Sequence, residues 1–237
     1  MILFINIIIS IIIHIAGAVD ISGLARKPKI AIIDIDVHHG NGTEAIIRNL
    51  SPHMEPLPLP SSWAPQYHLA YKPWYDESDA AETLFGSVHL YYDEHFYPGS
   101  GEDRVERYDS ATNSGSNVVN IGLTPIGPVG PGDSKGRARL SNSQREQLSL
   151  QAGQELRAKV EKILIPALRD FEPTLLIISS GFDAHIDDMY HYLTEADFHW
   201  LTKQLCTCVS YVDRTPIYRD YVDVPGLAGG GSYICVL

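Results

Sequence analysis

Two apolar, β-branched runs that each end in an acid constrain this chain more than any other feature: KIAIIDID at residues 29–36 and TLLIISSGFDAH at residues 174–185. Neither alternates apolar with polar residues, as a strand wetted on one face would, so each reads as a strand buried on both faces of a parallel sheet. Between them, residues 143–171 carry leucines, isoleucines and alanines at helix-like intervals, which suits a crossover helix. Further extended segments are expected at 83–91 and 117–123. The break Gly40-Asn41-Gly42 leads into a short helical pattern from Thr43 to Leu50, and Thr194 with Asp197 forms a capping pair for a helix reaching about Ser210. The expected class is α/β, a mainly parallel sheet flanked by helices, with ligands gathering at the carboxyl ends of the strands.

With 237 residues, 44% of them hydrophobic and 20% charged, the chain can bury a core without covalent staples and is expected to form a single domain over 1–237. Cys206, Cys208 and Cys235 are an odd number bunched near one end, which points to a reducing compartment rather than a disulfide framework. The net charge of −11 argues against a nucleic-acid-binding surface and allows the steering of a basic peptide. Residues 1–19 carry no charge, but Asn6, Ser10 and His14 recur every fourth residue. That spacing favours a buried helix with a polar seam over a membrane anchor, and His14 on it reads as structural. Residues 52–80, with Pro52, Pro56, Pro58, Pro60, Pro65 and Pro73, read as an insertion without regular structure.

Asp34, Asp36 and His38 are spaced by two, so on an extended segment their side chains project from one face. Two carboxylates and an imidazole at a strand end suit a divalent metal; the alternative is a pair of aspartates capping the next helix beside solvated histidines. Asp183, at the matching end of the second apolar run, supplies a third ligand able to converge with Asp36 and His38.

DIDVHHGNGT (34–43) together with SSGFDAH (179–185) resembles the paired metal signature of zinc-dependent histone deacetylases and the related acetylpolyamine amidohydrolases. GSVHL (86–90) and FYPGSG (96–101) resemble that family's tunnel strand and glycine turn, and LAGGGSY (227–233) its tyrosine-bearing glycine loop; Asn41 and GFDAH lean toward the class II branch. The resemblance implies an arginase/deacetylase-like fold, incomplete at both ends. It implies Asp36, His38 and Asp183 as Zn2+ ligands, and Asp34 and Ser87 beside a monovalent cation such as K+, with Asn41 and His39 supporting the centre. Tyr97 and Gly99 would border the substrate tunnel, although Tyr97 could equally pack beside its own turn. Tyr233 would donate to the oxyanion, while an alternative count along the loop lands on Gly231, which has no side chain to donate.

On this resemblance the reaction is hydrolysis of an acetylated amine, in histones or other proteins, in the nucleus or cytoplasm and in a corepressor-like setting. An acetylpolyamine substrate is one alternative and an inactive binding module another. The family's upstream Gly-His-His pair would fall at or before residue 1, so the expectation is an N-terminally truncated chain in which proton transfer must go through solvent or His39. Loss of general acid-base assistance on that scale costs about 100- to 10,000-fold in rate.

Overall fold

The computed structural model describes residues 29–60, 62–92 and 95–209, together with the backbone of 233–236. The helix expected over 1–19, His14 and the glycine loop before Tyr233 lie outside the described residues. A six-stranded sheet is built from β1 (Ile30–Asp34), β4 (Thr83–Leu90), β5 (Arg104–Glu106), β6 (Asn117–Leu123), β7 (Leu175–Ser179) and β8 (Tyr233–Val236). Its strands lie in the order β5-β6-β4-β1-β7-β8. All pair parallel except β5, which runs antiparallel at one edge. The two acid-ended runs are thus immediate neighbours, with Asp34 level with Ser87 on one side and Ser179 on the other.

Alternation along β1 explains the two faces of the sheet. Ala31, Ile33 and Ile35 enter a large core with Leu156, Leu164 and Leu168, whereas Ile30 and Ile32 join Ile47, Leu50 and Phe85 on the other face. The first face is covered by α3 (Asn142–Lys159) and α4 (Ile165–Phe171), the second by α1 (Asn41–Arg48). A single wide turn, Val160–Leu164, joins α3 to α4 just before Pro166. Proline lacks an N–H and crowds the preceding turn, which a wider turn relieves. Short α2 (Ser134–Ala138) and α5 (Glu195–Cys206) complete the layers, and Thr194 and Asp197 close a capping box on α5 as its sequence implied.

The structure corrects the reading of residues 52–80 as devoid of regular structure. They contain an antiparallel pair, β2 (His53–Pro56) and β3 (Tyr67–Ala70), in which Glu55 faces His68 and His53 faces Ala70. Pro56 ends its strand, and Pro58, Pro60 and Pro65 fall in the connection, so none removes a bond from the middle of the ladder.

Arg137 of α2 is nearly buried, and it donates to the carbonyls of Ile186 and His191 at 2.7 and 2.6 Å while lying 4.0 Å above the Tyr192 ring. It ties the segment after Asp183 to the helical layer. Arg137→Met strips two charge-assisted bonds from these carbonyls, one of them buried, a cost of about 2–3 kcal/mol. Urea unfolding of the two proteins should show that loss as a lower midpoint with an unchanged slope.

Candidate metal centre

Just beyond the end of β1 the backbone turns so that each carboxylate braces the residue two further on. The Asp34 carboxylate accepts from the Asp36 N–H at 3.1 Å, and the Asp36 carboxylate accepts from the His38 N–H at 2.7 Å. The loop after β7 is clasped onto the same turn. Asp183 accepts from the Val37 N–H at 3.0 Å, and the Ile35 N–H donates to the Ser179 carbonyl at 2.9 Å. Gly181 makes the approach possible, since a Cβ there would lie 2.0 Å from Asp36 Oδ2.

The result is a compact trio. His38 Nδ1 lies 3.0 Å from Asp36 Oδ1 and 3.0 Å from Asp183 Oδ2, and ligand atoms of all three residues fall within 4.8 Å of one another. One nitrogen facing two carboxylate oxygens calls for a cation among them, a proton or a metal ion. Nitrogen and oxygen donors from three side chains, each partly exposed, fit a zinc centre with an open position. Hydrogen bonds to Asp183 and then to Asp36 push the His38 pKa up to about 9 in the metal-free chain, against the downward pull of burial. Burial alone would raise Asp183, but its bonds to His38 and to the Val37 N–H hold its carboxyl below the usual range.

A pH dependence follows with a definite sign. In the metal-free chain the His38 proton stabilises the fold, fully below about 6.5, and that contribution is lost as pH rises through about 9. Metal entry must displace the same proton. Zinc uptake measured by titration calorimetry should therefore release about one proton from His38 at pH 7, with apparent affinity rising roughly tenfold per pH unit and levelling off above about 9.

Asp34 sits deeper. Burial first, and then the neighbouring Asp36 and Asp183 charges, push its pKa up to about 7 although the Asp36 N–H pulls it down. Its carboxylate and the Ser87 hydroxyl both border Gly40: the Gly40 N–H points to Ser87 Oγ at 3.4 Å, and a Cβ on Gly40 would lie 2.5 Å from Asp34 Oδ2. The structure therefore brings together the two side chains whose resemblance implied a monovalent cation. Ser87 is also 2.8 Å from His89 Nδ1; because His89 Nε2 donates to the Gly101 carbonyl, the Ser87 hydroxyl is the donor in that pair.

His39 is not part of the trio. Its Nδ1 is 2.8 Å from Ser100 Oγ and its Nε2 2.8 Å from Glu44 Oε2, so both nitrogens are committed elsewhere. Glu44 also accepts from Asn120 and Arg48, and these bonds hold its pKa at about 2 despite the upward push of burial. A cavity of about 540 Å³ opens on this network, lined by His39, Glu44, His95, Ser100, Arg104 and Asn120, and none of the trio lines it. The chain bends through residues 36–38, and the His39 ring is directed to Ser100 and Glu44 rather than to the trio. Asn41 begins α1 and donates its backbone N–H to the His39 carbonyl.

Aromatic rings surround His38. Phe96 stacks on it at 5.2 Å, while Tyr97 and Tyr190 stand edge-on at 6.0 and 5.0 Å. Tyr97 is 61% exposed, with its ring edge-on to His38. Gly99 adopts φ +78, as that turn requires. Tyr233 lies in β8, and its side chain is outside the described residues. Tyr190, Phe96 and Gly181 received no site role from the sequence. Gly181 stood inside a recognised motif, but nothing periodic marks Tyr190.

This chain is similar to several known proteins. The family model described as the histone deacetylase domain matches residues 8–218. Type-2 histone deacetylase 2 of Dictyostelium discoideum is 28% identical over 194 residues, covering 81% of this chain and 8% of that protein. Histone deacetylase 7 of Homo sapiens is 26% identical over 189 residues, covering 76% of this chain and 14% of its own length. The solved acetylpolyamine aminohydrolase from Burkholderia pseudomallei shares 16% identity and a TM-score of 0.47, over 94% of this chain and 42% of that one. The chain therefore spans a small part of the curated relatives it matches.

Proposed function

This chain belongs to the histone deacetylase family, and from that premise we propose that it hydrolyses the acetyl amide of acetylated lysine in histones or other proteins, using zinc. The observation that carries the reading is the convergence of Asp36, His38 and Asp183 on one point within 4.8 Å. Zinc bound there supplies a Lewis acid and an acidified water, whose pKa falls to about 7 in such sites. Asp36, His38 and Asp183 would hold the ion. Asp34 and Ser87, which both border Gly40, would hold K+.

The aromatic residues give the site its selectivity. Phe96, Tyr97 and Tyr190 around His38 suit the aliphatic stem of a lysine, which gains by leaving water while its polar end proceeds to the metal. The resemblance assigns Tyr233 to donate to the oxyanion, but its backbone stands level with Leu175, at the opposite end of β7 from the trio, so that role rests on the resemblance alone. His39 anchors Ser100 and the turn carrying Tyr97 to Glu44 of α1, which positions the tunnel wall. With both of its nitrogens engaged, a proton leaving the centre through His39 would have to pass by Ser100 or Glu44. The net charge of −11 suits a basic peptide drawn by long-range attraction. A place in the nucleus or cytoplasm, within a corepressor-like assembly, belongs to this same reading; among the described residues no helix is long and apolar enough to cross a membrane.

The test is hydrolysis of an acetyl-lysine peptide and of an acetylated polyamine by the zinc-loaded chain and by the chelated chain. The expected outcome is peptide cleavage that requires zinc. Preference for the polyamine would assign the other branch of the family, and peptide binding without cleavage at saturating zinc would mean a binding module.

A further inference from the structure

The β2–β3 hairpin carries a second cluster of metal-ligating groups on one of its faces. His53 and Glu55 are two apart on β2, and His68 stands directly across from Glu55 on β3, so all three side chains project from the same side of the ladder. His53 Nε2 lies 3.2 Å from Glu55 Oε1, and His68 Nε2 lies 3.8 Å from Glu55 Oε2. The carboxylate is thus held between two imidazoles. Ligand atoms about 2.0–2.2 Å from a tetrahedral zinc ion stand roughly 3.4 Å from one another, and the two separations lie near that value. The three ligand atoms do not all fall within 4.8 Å of one another, so the imidazoles must swing together to share an ion.

The state of the His53 ring carries the argument further. Its Nδ1 is 3.1 Å from the Ser51 carbonyl, an oxygen that can only accept, so Nδ1 bears the hydrogen. Ser51 is itself fixed: it is 3% exposed, and its hydroxyl donates to the Gly115 carbonyl at 2.7 Å. An imidazole whose Nδ1–H is held by a backbone carbonyl presents Nε2 outward, the arrangement that metal-binding histidines use to fix their tautomer. Here that Nε2 faces a carboxylate oxygen at 3.2 Å. Two lone pairs at that distance repel unless a cation lies between them, a proton or a metal ion.

We propose that His53, Glu55 and His68 form a second divalent-metal site, of zinc type, on the surface of the β2–β3 hairpin. Two imidazoles and one carboxylate leave a fourth position to water, and the mixed nitrogen and oxygen donors favour zinc over magnesium or calcium. All three side chains are partly exposed, at 32%, 42% and 48%, so they can close on an ion without disturbing the core. Exposure also makes this the weaker site, because more water competes for the ion. A metal here bridges both strands of an isolated two-stranded ribbon, an element that is marginal alone, and so fixes the hairpin. The site does not depend on the deacetylase reading.

The experiment is titration of the full chain with zinc, followed by calorimetry and by histidine NMR, on the wild type and on His53→Ala/His68→Ala and His38→Ala/Asp183→Ala. The wild type should bind two ions with distinct affinities. The hairpin variant should keep the tighter one alone, and the second variant the weaker one alone, with His53 and His68 ring signals shifting as it fills. Glu55→Gln, which keeps the side-chain shape, should weaken the second step by about tenfold or more. A single equivalent in the wild type, or a second equivalent that survives His53→Ala/His68→Ala, would overturn the proposal. So would ring signals of His53 and His68 that stay unmoved at saturating zinc.

Discussion

Gly181→Ala should cost the chain its zinc while leaving the fold standing. The added methyl carbon would sit 2.0 Å from Asp36 Oδ2, 2.7 Å from Asp36 Cγ and 3.0 Å from Asp36 Cβ. The carboxylate must rotate off, and the Asp36 Cβ, which cannot swing clear, must be relieved by a small backbone shift. Rotation also breaks its bond to the His38 N–H, so one substitution disturbs two of the three ligands. Altering a group that merely orients a ligand typically lowers affinity by about 10- to 100-fold, and displacing the ligand itself should exceed that. Gly181 is not in the left-handed region, so backbone strain adds nothing, and the stability cost should stay within the roughly 1–3 kcal/mol of an overpacked site. Zinc affinity at the tight site and the urea midpoint, measured on the same preparations, separate the two effects.

His38→Ala should have the larger effect on turnover. It removes the only nitrogen donor of the trio and leaves Asp36 and Asp183 facing each other without the cation that reconciles them. It also removes the ring on which Phe96 stacks and against which Tyr190 stands edge-on. Hydrolysis of an acetyl-lysine peptide should fall by about 1,000-fold or more, since both the metal and the pre-formed tunnel wall are lost. His39→Ala is the discriminating partner. Its ring contacts Ser100 and Glu44 rather than the trio, so zinc content should be unchanged and the loss should fall on KM, through a loosened Tyr97 turn. Equal zinc loss in the two variants would contradict the separation of these neighbouring histidines.

What could be read from the sequence followed from local signals. The strands β1 and β7 announced themselves by unbroken apolar runs, and the capping box at Thr194 and Asp197 by residue type alone. The trio was legible because its members lie two apart or at matching strand ends. The β2–β3 hairpin was hidden by its prolines, whose harmless placement emerges only from the pairing register. β5 is three residues long and held by pairing to β6 rather than by any pattern of its own. Tyr190 reaches His38 from a loop that no periodicity describes, and the role of Gly181 depends on a contact across two strands. His39 adjoins a ligand in sequence, yet its ring meets Ser100 and Glu44, a placement that no spacing along the chain announces.

A zinc-edge anomalous diffraction map of a crystal grown with the metal should show a peak among Asp36, His38 Nδ1 and Asp183, at bonding distance from all three and absent from crystals of Gly181→Ala. Saturating zinc with no peak at that position would contradict a zinc centre there.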